Sequence, residues 1–173
     1  YIPTHKDYFK YQKIVLANYK NVNLLNAAWS LLVVNRLAFS GICRANPLGG
    51  KSGSEKILLS RWKPDELSRR IININKMAEK ITVLNIDACK LIEEIYWNPT
   101  ATIFIDPPYY KEGKQLYNCY YNEEDHIRLS TLLDCLYSGM PGADIILTYD
   151  NNEFIKDIYL YPSVENISRV YSI

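Results

Sequence analysis

The feature that most constrains the fold of this chain is an abrupt stop. Thr102-Ile103-Phe104-Ile105 is a compact apolar run that ends directly in Asp106-Pro107-Pro108. Two consecutive prolines donate no backbone hydrogen bonds and restrict φ, so a strand over the run must end where they begin. A short, uniformly apolar strand reads as one buried in a parallel sheet. Residues 81–86 and 144–149 have similar strand character, and residues 166–173 suggest a closing strand. Helical patterns separate them: residues 90–96, a helix capped by Asn122 with Leu129, Leu132, Leu133 and Leu136 inward, and residues 153–159. Strands alternating with helices predict an α/β fold, a mostly parallel Rossmann-like sheet with helices on both faces. In such sheets ligands sit beyond the carboxyl ends of strands, where Asp87, Asp106 and Asp150 fall.

The first part of the chain reads differently. Thr4 and Asp7 have capping-box spacing, followed by Tyr8, Tyr11, Val15 and Tyr19 at helical steps. A second helix is predicted over residues 23–39, with Leu24, Ala27, Ala28, Leu31, Leu32 and Asn35 on one side. A third begins at Pro64, with Asp65 and Glu66 in its first turn and Leu67, Ile71, Ile74 and Ala78 along one face. Between them Gly41, Gly49, Gly50 and Gly53 mark residues 40–53 as a loop or irregular hairpin. The expected division is a mainly helical region, 1–79, and an α/β region, 80–173.

Composition excludes some classes. The net charge of +1 neither demands nor forbids a nucleic-acid partner, so a phosphate-binding surface must come from local clusters. No apolar run approaches the ~20 residues of a membrane span. Cys43, Cys89, Cys119 and Cys135 are widely spaced, without a CxxC pair, which argues against zinc and for reduced thiols in a cytoplasmic protein. The expectation is therefore no metal and no membrane.

Asp106-Pro107-Pro108-Tyr109 carries the chemistry. An exocyclic adenine amine is a poor nucleophile because its lone pair is delocalised into the ring. Accepting hydrogen bonds from both amine hydrogens draws the nitrogen toward tetrahedral geometry. Asp106 supplies one acceptor, and the Pro107 carbonyl, its direction fixed by the prolines, supplies another. Tyr109 offers a ring face to a base taken out of a duplex. The alternative is an ordinary turn after a strand, and placement at an apolar strand end favours the functional reading.

Residues 103–110 resemble catalytic motif IV of the Dam-like adenine-N6 DNA methyltransferases. Asn35-Arg36, then Phe39-Ser40-Gly41-Ile42-Cys43-Arg44-Ala45-Asn46, then Gly49-Gly50, resemble that family's target-recognition signature. Residues 168–173 resemble its closing strand. The resemblance implies S-adenosylmethionine as methyl donor, double-stranded DNA as partner, a monomer when full length, and a prokaryotic or phage-encoded protein. It implies that Asp106 contacts the target amine and the methionine moiety, that Tyr109 stacks on the base, and that Asp87 and Ala88 lie against the cofactor's adenine. It implies a DNA-facing set of Arg36, Phe39, Ser40, Ile42, Arg44, Asn46 and Lys51, with Phe39 as a wedge and Arg44 as a guanine reader. Ser40 replaces the family's usual Asn, and Lys51-Ser52-Gly53 replaces a Phe-Asn, so target sequence does not transfer.

Other roles stay open from sequence. Arg44 can bind phosphate, Arg36 can be structural, Phe39 can be core, and Asp87 can be a helix cap, as can Asp150-Asn151-Asn152, which borders the expected pocket. His126 reads as solvated. Tyr110, Tyr117, Tyr120 and Tyr121 either line a base pocket or pack. The family's first motif, a glycine turn after a strand followed by an acidic residue, is not found before Asn35, and the expectation places it upstream of Tyr1. Without it, the competing reading is a catalytically incomplete DNA-binding or assembly module. A third reading, cytosine N4 or RNA as target, is disfavoured by the recognition signature.

Overall fold

The computed structural model describes residues 1–111, 120–159 and 163–168. Two compact units, Tyr1–Val83 and Leu84–Ser172, divide the chain.

In the first unit, α1 (His5–Leu16) starts in the predicted capping box: the Asp7 amide donates to Thr4 Oγ1, and the Thr4 amide donates to Asp7. Helix α2 (Leu24–Leu37) is capped by the Asn23 side chain. The core is Tyr8 and Val15 from α1, Val33, Val34 and Leu37 from α2, then Ala38, Leu58 and Trp62. This corrects the expected face of α2. Leu24 is 86% exposed and Leu31 is 42% exposed, while Ser30, Val33, Val34 and Leu37 are buried. The helix is apolar nearly all round, so periodicity alone does not choose its inner face; packing against α1 does. Tyr19 falls beyond α1 with a positive φ of 58°, among Asn18 and Asn21 in the same backbone region. A short α3 (Glu55–Leu58) precedes α4 (Pro64–Asn75), with proline in its first turn as predicted. Of the predicted α4 face, Leu67 packs on the core, Ile71 and Ile74 are exposed, and Ala78 lies in a separate turn.

In the second unit, β1 (Thr102–Ile105) and β2 (Asp144–Leu147) run parallel, with Ile105 opposite Leu147. Helices α5 (Ala88–Ile95) and α6 (Glu123–Tyr137) bury Cys89, Ile92, Leu129 and Leu136 with Ile105 in a common core. Tyr96 ties the helix ends together, its hydroxyl donating to the Leu136 carbonyl at 2.9 Å. A side chain at Gly142 would collide with Tyr96, so glycine lets the chain pass close before β2 begins. Helix α7 (Glu153–Ile158) is capped by Asn152.

Three expectations for the α/β region are corrected. Residues 81–86 form no strand: Ile81, Val83, Leu84 and Ile86 are exposed, and the segment pairs with no other described residue. A β-rich run has no reason to hold strand geometry without a neighbour to receive its hydrogen bonds. Residues 166–168 are not a strand either, and the rest of that predicted element lies outside the described residues. Among the described residues, helices cover one sheet face rather than two. Ile103, Ile105, Ile145 and Leu147 turn to the core, whereas the paired Phe104 and Ile146 remain 63% and 51% exposed.

Candidate active site and recognition loop

The site in the second unit begins with register. Because Ile105 pairs with Leu147, the next residues, Asp106 and Thr148, leave the sheet side by side. The Thr148 amide donates to the Ile105 carbonyl at 3.0 Å, continuing the ladder one step. The Thr148 hydroxyl then donates to Asp106 Oδ1 at 2.7 Å. Asp106 is exposed, Pro107 is buried, and Pro108 and Tyr109 are half-buried. Asp106 and both prolines border a mostly apolar cleft of about 340 Å³, whose walls include Ala88, Leu91, Ile92, Ile103, Phe104 and Tyr121. Ligand pockets begin at about this size.

The helix cap expected in Asp150-Asn151-Asn152 falls on Asn152, at the start of α7. Asp150 takes a different part: its carboxylate accepts from the Tyr110 amide at 3.1 Å and the Lys111 amide at 3.3 Å. Asp87 does cap α5, accepting from the Lys90 amide, and both its oxygens also take the Arg128 guanidinium at 3.0 and 3.2 Å. The Lys90 amide, joined by Arg128, holds its carboxyl below the usual aspartate range. Ala88, the first residue of α5, lines the cleft; Asp87 is not among the residues that line it.

His126 corrects another expectation: it is fully buried rather than solvated. Its Nδ1 shares a 2.8 Å hydrogen bond with the Tyr149 hydroxyl, and Nε2 has no hydrogen-bond partner among the described residues. Rings of Tyr110, Tyr121, Tyr149 and Phe154 surround it. Burial lowers its pKa, against the opposing pull of Asp125, Asp150 and Glu123. Tyr110 is packing material, stacked on Phe154 at 4.6 Å with its hydroxyl donating to Glu123. Tyr121 lines the cleft, Tyr120 is half exposed, and Tyr117 and Cys119 lie outside the described residues.

The loop of the first unit is pinned by backbone acceptors. The Tyr8 hydroxyl donates to the Ala45 carbonyl at 2.7 Å, and Gln12 Nε2 donates to the Cys43 and Ala45 carbonyls at 2.8 and 2.9 Å. An antiparallel bridge joins Ala38 to Pro47, and the Phe39 amide donates to the Asn46 carbonyl. Arg61, which sequence reasoning passed over, caps the end of α2 by donating to the Asn35 and Ala38 carbonyls, both at 3.2 Å. Arg36 returns the contact, donating through Nε and Nη2 to the Arg61 carbonyl. Its guanidinium is thus a brace inside the unit.

Phe39, Ser40, Arg44, Asn46 and Lys51 are exposed on this frame, and Ile42 is half-buried. Ser40 holds a positive φ of 52°, a region asparagine enters more readily than serine. Gly49 and Gly53 approach so closely that a side chain at Gly53 would strike the Gly49 carbonyl.

Helices packed with the parallel pair β1 and β2 fit a methyltransferase-like α/β fold. Over residues 2–173 this chain belongs to the D12 class N6 adenine-specific DNA methyltransferase family. The activity of that family is methylation of adenine N6 in DNA. Comparison with curated proteins and with solved structures returned no match. Among the described residues no helix is long and apolar enough to cross a membrane, and no cluster of His, Cys, Asp or Glu is placed to hold a metal.

Proposed function

We propose that this chain takes a methyl group from S-adenosylmethionine to the N6 amine of an adenine turned out of a DNA duplex. The observation that carries the reading is the Asp106 carboxylate, fixed by Thr148 at the rim of the apolar cleft. The cleft fits the flat, weakly polar part of such a cofactor: Ala88, Leu91, Ile92 and Phe104 would flank an adenine ring, and Asp106 would meet the methionine end. When bound, the cofactor supplies a methyl group on a positively charged sulfur.

The protein's part is positional. Asp106 accepts one hydrogen of the target amine and the Pro107 carbonyl accepts the other, which localises the nitrogen lone pair toward the methyl carbon. Neither group need remove a proton before attack; the amine becomes acidic only as its new bond forms, and Asp106 then takes the proton. Tyr109 stacks on the turned-out base. The apolar walls exclude water from the displacement. Exposed Arg44, Asn46 and Lys51 on the braced loop, with Phe39, Ser40 and Ile42, meet the DNA, and Arg44 reads a guanine. Arg36 serves this surface indirectly, through its hold on Arg61.

The test is transfer of labelled methyl groups to duplex DNA by the native protein and by Asp106→Ala. Transfer by the native protein and loss in the variant support the reading. A folded protein with no transfer supports a DNA-binding module instead.

A further inference from the structure

Two side chains from the segment after β2 grip the tetrapeptide on both sides. Thr148 Oγ1 donates to Asp106 Oδ1 at 2.7 Å, at the tetrapeptide's first residue. Asp150 accepts from the amides of Tyr110 and Lys111, immediately past its last residue. Pro107, Pro108 and Tyr109 therefore span two anchored points. The prolines limit φ within that span, and neither offers an amide that could be anchored directly.

We propose that Thr148 and Asp150 are positioning residues for methyl transfer: Thr148 sets the direction of the Asp106 carboxylate, and Asp150 sets the height of Tyr109. This rests on the reading of Asp106 as the amine acceptor. An exposed aspartate at a strand end samples several rotamers, and only some aim an oxygen at a substrate. The Thr148 hydroxyl selects one by holding Oδ1. Among the described residues Oδ2 accepts no hydrogen bond, so it is the oxygen left for the amine. Register sets Thr148 beside Asp106 and its own amide is fixed on the Ile105 carbonyl, so its hydroxyl meets Oδ1 at 2.7 Å, with that carbonyl a longer second acceptor at 3.5 Å. Asp150 acts on the other side, where two amides converge on one carboxylate and fix the turn that follows Tyr109.

The experiment compares single-turnover methyl transfer and DNA affinity for the native protein, Thr148→Val, Thr148→Ser, Asp150→Asn and Asp106→Ala. Valine keeps the shape and the backbone hydrogen bond of Thr148 and removes only the hydroxyl. Loss of an orienting partner of this kind costs ~10–100-fold in rate by analogy with groups that orient metal ligands. The expected result is that loss in Thr148→Val with DNA affinity unmoved, and recovery of most of the rate in Thr148→Ser. Asp150→Asn keeps one acceptor oxygen and falls less. Adding Thr148→Val to Asp106→Ala lowers the residual rate no further, because the carboxylate it orients is gone. Full activity in Thr148→Val, or equal damage from Val and Ser, overturns the proposal while leaving the role of Asp106 intact. Full activity in Asp106→Ala overturns that underlying role instead, and the positioning proposal with it.

Discussion

The loop over residues 40–53 and the Asp106-Pro107-Pro108-Tyr109 tetrapeptide solve one physical problem with opposite chemistry. Both are irregular segments that must hold a fixed shape beside regular structure. Around the loop, protein donors hold backbone carbonyls: Tyr8 and Gln12 reach Cys43 and Ala45 within it, and Arg61 reaches Asn35 and Ala38 at the end of α2 that leads into it. At the tetrapeptide the anchored partners include amides and a carboxylate, met by Asp150 and Thr148. The difference follows from what each segment presents. Glycines and a positive-φ serine let the loop turn so that Tyr8 and Gln12 reach its carbonyls. The prolines offer no amides, so the strand end can be fixed only through its flanks. On the proposed roles, the loop that meets DNA can tolerate small shifts in its frame, and the tetrapeptide that positions the amine is sensitive to them.

The comparison predicts unequal damage. Asp106→Ala should lower methyl transfer by ~10²–10³, as for other preorganised polar groups, with thermal stability nearly unchanged because the residue is exposed. Asp106→Asn should fall less, since its amide oxygen still accepts. Equal rates for the native protein and the alanine variant would remove the contrast between the regions.

Arg44→Ala should cost ~1–3 kcal/mol at one guanine position if the contact is bidentate, measured on duplexes with single substitutions. Uniform weakening across the panel, with a smaller salt slope, would make it a phosphate contact. Tyr109→Ala should cost ~1–3 kcal/mol through lost stacking, and Tyr109→Phe should cost much less. If phenylalanine damages the rate as much as alanine, the hydroxyl matters and the stacking role is wrong.

Smaller effects sharpen the loop side. Tyr8→Phe removes one donor from the Ala45 carbonyl, which Gln12 still reaches, and should cost about 1 kcal/mol of stability in thermal melts. Discrimination among DNA sequences should loosen while the rate on a good site holds. His126 supplies a pH test of the second unit. Its pKa is lowered in the fold, so the unfolded chain binds the proton first; the stability it contributes is present above the ordinary histidine value and is lost as pH falls through the lower folded one. His126→Gln should flatten that acid-side slope in melts recorded across the range, and an unchanged slope would assign it to other groups.

Much of the site was legible because its signals are local. The proline pair marked the end of β1 at Ile105, and Thr4, Asn122 and Pro64 marked helix starts. What was not legible depends on register and packing. Thr148 is an ordinary threonine in sequence, and only the pairing of Ile105 with Leu147 brings it to Asp106. Arg61 and Arg36 meet across a loop, Asp150 reaches forty positions back to Tyr110, and His126 on α6 is buried by aromatic residues from distant segments. The α2 face was misread because an apolar helix carries no periodic signal to choose by. Residues 81–86 have strand composition, but composition supplies no pairing partner.

The decisive measurement is analysis of the methylated product. The native protein is incubated with duplex DNA and S-adenosylmethionine carrying a labelled methyl group, and the DNA is digested to nucleosides. Label is expected in N6-methyladenine alone, and is expected to be absent when Asp106→Ala replaces the native protein. Label in N4-methylcytosine, or equal N6-methyladenine from the alanine variant, would contradict that expectation.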